Sequence, residues 1–284
     1  MRNRTCMKQG CQDPPGFINL SSRYGSWRVL AIRDPNRQTC HQRERSRFNM
    51  VCEDKEPYPA PGFAPGKSSQ PAAVGFLDLP GMVRDGIYKH ALTVEHPVYL
   101  FQDFGSRVEA FAPDKPKWWI ALLYTNRQIS SEAKAALYAN NNFHLMGNPQ
   151  KHGALLQSFL GRIGSPNANS LSRLCIGFPV TEKAQGQPGS VIITQDSLQS
   201  LTLVREQCTA LKILEMQLSK ENSGLLAGAR EEDAQLVRDA LLRIDAQLKT
   251  ISSVKKIVVR LYMKDVPSFV VDAMQGLEWV VLDG

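Results

Sequence analysis

From Asn142 onward the chain alternates short apolar runs with amphipathic stretches, and this restricts the fold more than any other feature of the sequence. The runs at 143–146, 174–178, 211–216, 257–262 and 277–281 are short, aliphatic or aromatic, and bounded by polar or turn-forming residues, which predicts strands. Between them lie helical patterns. Leu156, Phe159, Leu160 and Ile163 stripe a helix over 150–163 that stops at Gly164 and Pro166. Leu198, Leu201, Val204 and Cys208 stripe another, with Asp196 and Gln199 placed as a capping box. The longest, over 231–249, carries Leu236, Ala240, Leu241, Ile244 and Leu248 between an acidic head and Lys249 at its tail. Strand, helix, strand in succession implies right-handed crossovers and an α/β fold with a mostly parallel sheet. Val258 and Leu261 lie on opposite faces of their strand, so both are expected to be buried if that strand is covered on both sides.

Upstream, residues 77–92 read as one short helix. Asp78 is positioned to cap it, Pro80 suits a first turn that needs no N–H, and Asp85 and Lys89 fall one turn apart. Leu79, Val83, Ile87 and Ala91 recur every four residues and form an apolar stripe, with Ile87 expected to point inward. Gly81 and Gly86 each cost about 1 kcal/mol relative to alanine in a helix interior, so the helix needs a partner. That partner is expected within 118–138. Two β-prone runs at 96–101 and 107–111, separated by a Gly-containing turn, predict a hairpin. A helix with Trp118, Leu122 and Leu123 on one face is expected to end near Gln128, and a second to start at Ser130 as its cap, burying Ala133, Ala136 and Leu137.

Leu79-Pro80, Arg84, Ile87-Tyr88 and Ala91-Leu92 resemble the opening of a large group of filamentous-fungal F-box-like proteins. A second block is similar in the same order: Leu122-Leu123, Thr125-Asn126-Arg127-Gln128-Ile129, Glu132-Ala133, Leu137-Tyr138 and Asn142-Phe143. The resemblance covers about residues 76–145, with Gly81-Met82 standing where the pattern usually has an acid and an aliphatic. It implies F-box-like helices that bind a Skp-type adaptor through apolar contacts, while the rest of the chain recruits an unknown target for ubiquitination. The partner-binding residues it implies are Leu79, Pro80, Val83 and Arg84. The expected organisation is a basic leader over 1–70, an F-box-like helical and hairpin module over 71–146, and an α/β region over 147–284. The unequal strand spacing excludes a regular repeat and makes the α/β region a degenerate, leucine-rich-repeat-like sheet.

Charge narrows the function classes. The net charge of +7 is concentrated: residues 1–70 hold twelve Lys/Arg against six Asp/Glu, and the remainder is nearly neutral. A nucleic-acid-binding domain ordinarily carries its charge on the fold itself. Nucleic acid is therefore not expected as a partner of the folded part, and the alternative reading is a nucleic-acid-associated regulator acting through the basic leader. The leader has too few apolar residues to offset chain entropy and is expected to lack a fixed fold. No apolar run is long enough to span a membrane, and the first residues lack a signal-peptide core, so an intracellular protein is expected, cytoplasmic or nuclear.

Catalytic and metal motifs are missing from the spacing. Cys6, Cys11, Cys40-His41 and Cys52 do not pair as structural zinc ligands do, and the six cysteines read as reduced thiols. His41, His90, His96, His144 and His152 have no partners in a triad order and read as surface or half-buried side chains. Gly186-Gln187-Pro188-Gly189-Ser190 lacks the lysine of a phosphate loop. No catalytic residue, metal or cofactor is expected, and the chain reads as a non-enzymatic protein–protein interaction protein.

Overall fold

A computed structural model describes residues 74–284 apart from 104–105, 114, 117–118 and 185–189. The leader with its four cysteines, His41, Trp118 and the Gly/Pro loop at 185–189 lie outside the described residues. The element order is α1 (Gly81–Leu92), β1 (Val98–Phe101), β2 (Glu109–Phe111), α2 (Arg127–Asn140), β3 (Asn142–Leu145), α3 (His152–Ile163), α4 (Ser165–Ala168) and β4 (Arg173–Gly177). It continues with β5 (Thr181–Lys183), β6 (Val191–Ile193), α5 (Gln195–Gln207), β7 (Ile213–Leu218), α6 (Ala234–Lys249), β8 (Lys256–Leu261), α7 (Ser268–Gly276) and β9 (Val280–Asp283).

Seven strands form one sheet in the order β2-β1-β3-β4-β7-β8-β9. Every neighbouring pair is parallel except β1 with β2. The expected hairpin is present, with Tyr99 opposite Phe111. Its first strand also runs parallel to β3, pairing Leu100 with Leu145, so the hairpin forms one edge of the sheet. The sheet therefore crosses residue 146, where the sequence suggested a module boundary. β5 and β6 make a separate antiparallel ribbon within the connection from β4 to β7.

From β1 through β9 the parallel strands are laid down in chain order, and right-handed crossovers then deliver successive helices to the same face. The burial pattern agrees. Phe143, Leu145, Leu174, Ile176, Leu214, Met216, Leu218 and Val259 belong to the apolar core, together with Leu156, Phe159 and Leu160 of α3 and Val237, Leu241 and Ile244 of α6. The alternate positions of the strands face away from that core: His144, Cys175, Glu215 and Val258 lie on one cross-strand row, in register from β3 to β8. Val258 is buried, as expected, whereas Leu261 is half-buried near the end of β8. Where α3 passes α5 the helices approach closely, because a Cβ on Gly153 would lie 2.6 Å from Asp196 Oδ1.

Several boundaries differ from expectation for local reasons. α2 starts four residues earlier than the Ser130 cap implied, because Asn126 Oδ1 accepts the Ile129 N–H at 2.9 Å. Ser130 Oγ instead donates to the Leu123 carbonyl at 2.8 Å. The helix expected before it is only a short 3₁₀ turn, Ala121–Tyr124. α5 is capped at Thr194, without a side-chain cap bond, rather than at Asp196. β5 and α7 had no counterpart in the sequence reading. α7 is only nine residues long, but it buries Val270 and Met274 one turn apart. No helix among the described residues is long and apolar enough to cross a membrane.

Candidate functional site

α1 packs on α2, and polar networks fasten the interface at both ends. Arg84 Nε donates to Glu132 Oε2 at 2.9 Å and Arg84 Nη2 to Glu132 Oε1 at 2.7 Å, a two-pronged ion pair. Tyr88 Oη donates to the same Glu132 Oε2 at 2.9 Å. The remaining guanidinium nitrogen, Arg84 Nη1, donates to the Leu79 carbonyl at 2.6 Å and to that of Leu77 at 3.3 Å. Glu132 is thereby held well below the usual carboxylate range, to about 2, chiefly by Arg84 and then by Gln128. At the far end Asn141 ties the helices together. Its Oδ1 accepts from Val94 N–H at 2.8 Å, and its Nδ2 donates to the carbonyls of Leu92 and Leu137 at 2.9 and 2.8 Å.

This network decides which flank of α1 is buried. Arg84, Tyr88 and Leu92, four residues apart, face α2, with the Phe76 ring edge-on to Tyr88 at 5.7 Å between centroids. The apolar stripe read from the sequence faces out instead. Val83 is 46% exposed and Ile87 39%, which corrects the expectation that Ile87 points inward. Pro80 is exposed and Leu79 half-buried. Beside them Met82 is 87% exposed and Leu77 41%. Of the four partner-binding residues taken from the sequence, Leu79, Pro80 and Val83 thus border one outward surface. Arg84 does not, because all three of its guanidinium nitrogens are engaged inward. Its role is to position the 77–84 segment. Asp78 caps a different element: its Oδ2 accepts from Gly75 N–H at 2.8 Å, closing the 3₁₀ turn ahead of Pro80.

One test of this lock is local. Glu132→Ala is expected to lower the melting temperature and to speed amide exchange across residues 79–88. Gln128→Ala, which removes only an exposed 3.1 Å bond to Glu132 Oε1, should leave both nearly unchanged. Equal exchange in the two variants would show that the ion pair does not order the segment.

A second cluster lies on the opposite face of the sheet. His144 and Glu215 are each 6% exposed and Cys175 is 0% exposed, which corrects the reading of His144 as a surface or half-buried side chain. Their donor atoms all lie within 4.8 Å of one another. Glu215 Oε1 accepts from Arg260 Nε at 2.5 Å and stands 3.9 Å from His144 Nε2. The Asn142 amide nitrogen sits 2.8 Å from the same Nε2, and the Tyr99 ring meets the imidazole edge-on. Burial lowers the His144 pKa, and burial followed by the nearby Glu215 carboxylate raises that of the Cys175 thiol well above its usual value. The thiol is therefore kept protonated and the imidazole neutral. Sequence reasoning missed this cluster because its members come from three separate strands and share no spacing; only the alternation of strand faces hinted at it.

Compared with known proteins, the chain matches no family model, no curated protein and no solved structure.

Proposed function

We propose that the chain is a non-enzymatic protein–protein interaction protein, an F-box-like substrate adaptor whose α1 surface docks a Skp-type adaptor of a ubiquitin ligase. The observation that carries this reading is the asymmetry of α1. One flank is fastened to α2 by Arg84, Tyr88 and Glu132, while the other presents Leu77, Met82, Val83 and Ile87 to solvent. Contiguous exposed apolar side chains rimmed by charged ones, here Asp78, Asp85 and Lys89, are the signature of a protein-binding surface. The occupant is named by the resemblance, whose Leu-Pro and Arg positions coincide with this surface and with the residue that supports it. The sheet laid down in chain order favours a degenerate leucine-rich-repeat-like scaffold, with its end loops recruiting the target.

The test uses the full chain and a purified Skp-type adaptor in a calorimetric titration. Val83→Glu and Met82→Glu are expected to abolish binding while changing stability by no more than about 0.5 kcal/mol, as is usual for exposed positions. No heat of binding with the unaltered chain, or unchanged affinity in both variants, would overturn the proposal.

A further inference from the structure

We propose that His144, Cys175 and Glu215 form a binding site for a thiophilic divalent cation of the zinc type, held by imidazole nitrogen, thiolate sulfur and carboxylate oxygen. The site is independent of the α1 surface. Three neighbouring parallel strands place the three residues in one row, Cys175 in the middle. The longer His144 and Glu215 side chains lean over it, so that atoms from non-adjacent strands approach to 3.9 Å. Tetrahedral zinc bonds of about 2.0–2.3 Å put ligand atoms roughly 3.3–3.8 Å apart. With all donors already within 4.8 Å of one another, closing on a cation shortens the widest separation by about 1.0–1.5 Å, within reach of side-chain rotation.

The surrounding groups are those that support a metal ligand set. Arg260 hydrogen-bonds Glu215 Oε1 and fixes the direction of the carboxylate. The Asn142 amide nitrogen, a donor 2.8 Å from His144 Nε2, matches the imidazole tautomer that keeps its lone pair on Nε2, the form a cation needs. Asn142 Oδ1 is buried and has no hydrogen-bond partner. A half-turn of the Asn142 amide would release the imidazole lone pair and bring that unsatisfied oxygen toward the cation as a fourth donor.

Without metal, Cys175 carries its proton, because burial and then the nearby Glu215 carboxylate disfavour a second anion there. Cation binding replaces that proton. The S–H bond breaks, the proton leaves to solvent and the sulfur–metal bond forms, with no change of oxidation state. The mixed N, S and O donor set suits zinc or cobalt better than magnesium or calcium, which prefer oxygen alone.

The experiment titrates cobalt(II) alone into the full chain with Cys6, Cys11, Cys40 and Cys52 changed to serine, leaving only Cys175 and Cys208 as thiols. The expected result is a thiolate-to-cobalt charge-transfer band that saturates at one equivalent and is displaced by zinc. Cys208→Ser should leave the band in place and Cys175→Ser should remove it. Glu215→Gln, which keeps an acceptor for Arg260 and serves if Cys175→Ser does not fold, should weaken cobalt binding by about tenfold or more. Absence of the band, or its survival in Cys175→Ser, would overturn the site.

Discussion

Leu214→Ala is expected to destabilise the chain by about 2–5 kcal/mol, the cost of truncating a fully buried leucine and leaving part of its volume unfilled. Leu214 has no solvent exposure, and its strand is flanked on both sides, by Leu174 of β4 and Ile257 of β8 in register. The surrounding core comes from every strand of the parallel run and from the helices above it, so the site has little freedom to collapse. Ile87→Ala is the informative contrast. Had the stripe of α1 been core, this truncation would cost as much. With Ile87 39% exposed, its loss should cost under about 1 kcal/mol. Urea denaturation of the two variants checks both numbers. Comparable losses would mean that the α1 flank assigned to a partner is instead packed within the chain.

Acidification is expected to destabilise the fold in two steps, the first governed by His152. This side chain, 4% exposed at the start of α3, accepts the Gly177 N–H on Nδ1 at 2.9 Å, a bond that requires the neutral imidazole. Burial depresses its pKa from 6.5 to about 4. The unfolded chain therefore takes up the proton first. The contribution is complete above the unfolded value of 6.5, is lost progressively as pH falls, and is exhausted below about 4. A depression of this size corresponds to about 3 kcal/mol at the acid end of that window, and His144, shifted the same way, adds to the trend. The second step belongs to Glu132, whose contribution is present above 4.5 and disappears as pH falls toward about 2. Stability measured between pH 7 and pH 4 should fall in the native chain and flatten in His152→Gln. An unchanged slope in that variant would remove His152 as the cause.

His152 and His144 also show where the sequence was silent. A histidine in a strand or at a helix start carries no mark of burial. Nothing near His152 in sequence predicts Gly177, which reaches it only because the C-terminal end of β4 lies against the start of α3. The same holds for Asn141. Its three bonds between the ends of α1 and α2 use atoms from residues 92, 94 and 137, which are brought together only by packing.

What the sequence determined by itself is the order and kind of the main elements after residue 142 and the parallel character of their sheet. Those follow from periodicity within each segment and from the handedness of crossovers, both of which are local or nearly so. The flank of α1 that is buried was decided by the tertiary structure alone. Leu79-Val83-Ile87-Ala91 and Arg84-Tyr88-Leu92 share one four-residue period and lie side by side on the helix, so periodicity cannot choose between them. The choice went to the polar set because Glu132 of α2 offers it an ion pair and a hydroxyl acceptor at once, while the Leu79 carbonyl takes the remaining guanidinium nitrogen. The convergence of His144, Cys175 and Glu215 was decided the same way, by strand register, which puts residues remote in the chain into one row and which no single strand encodes.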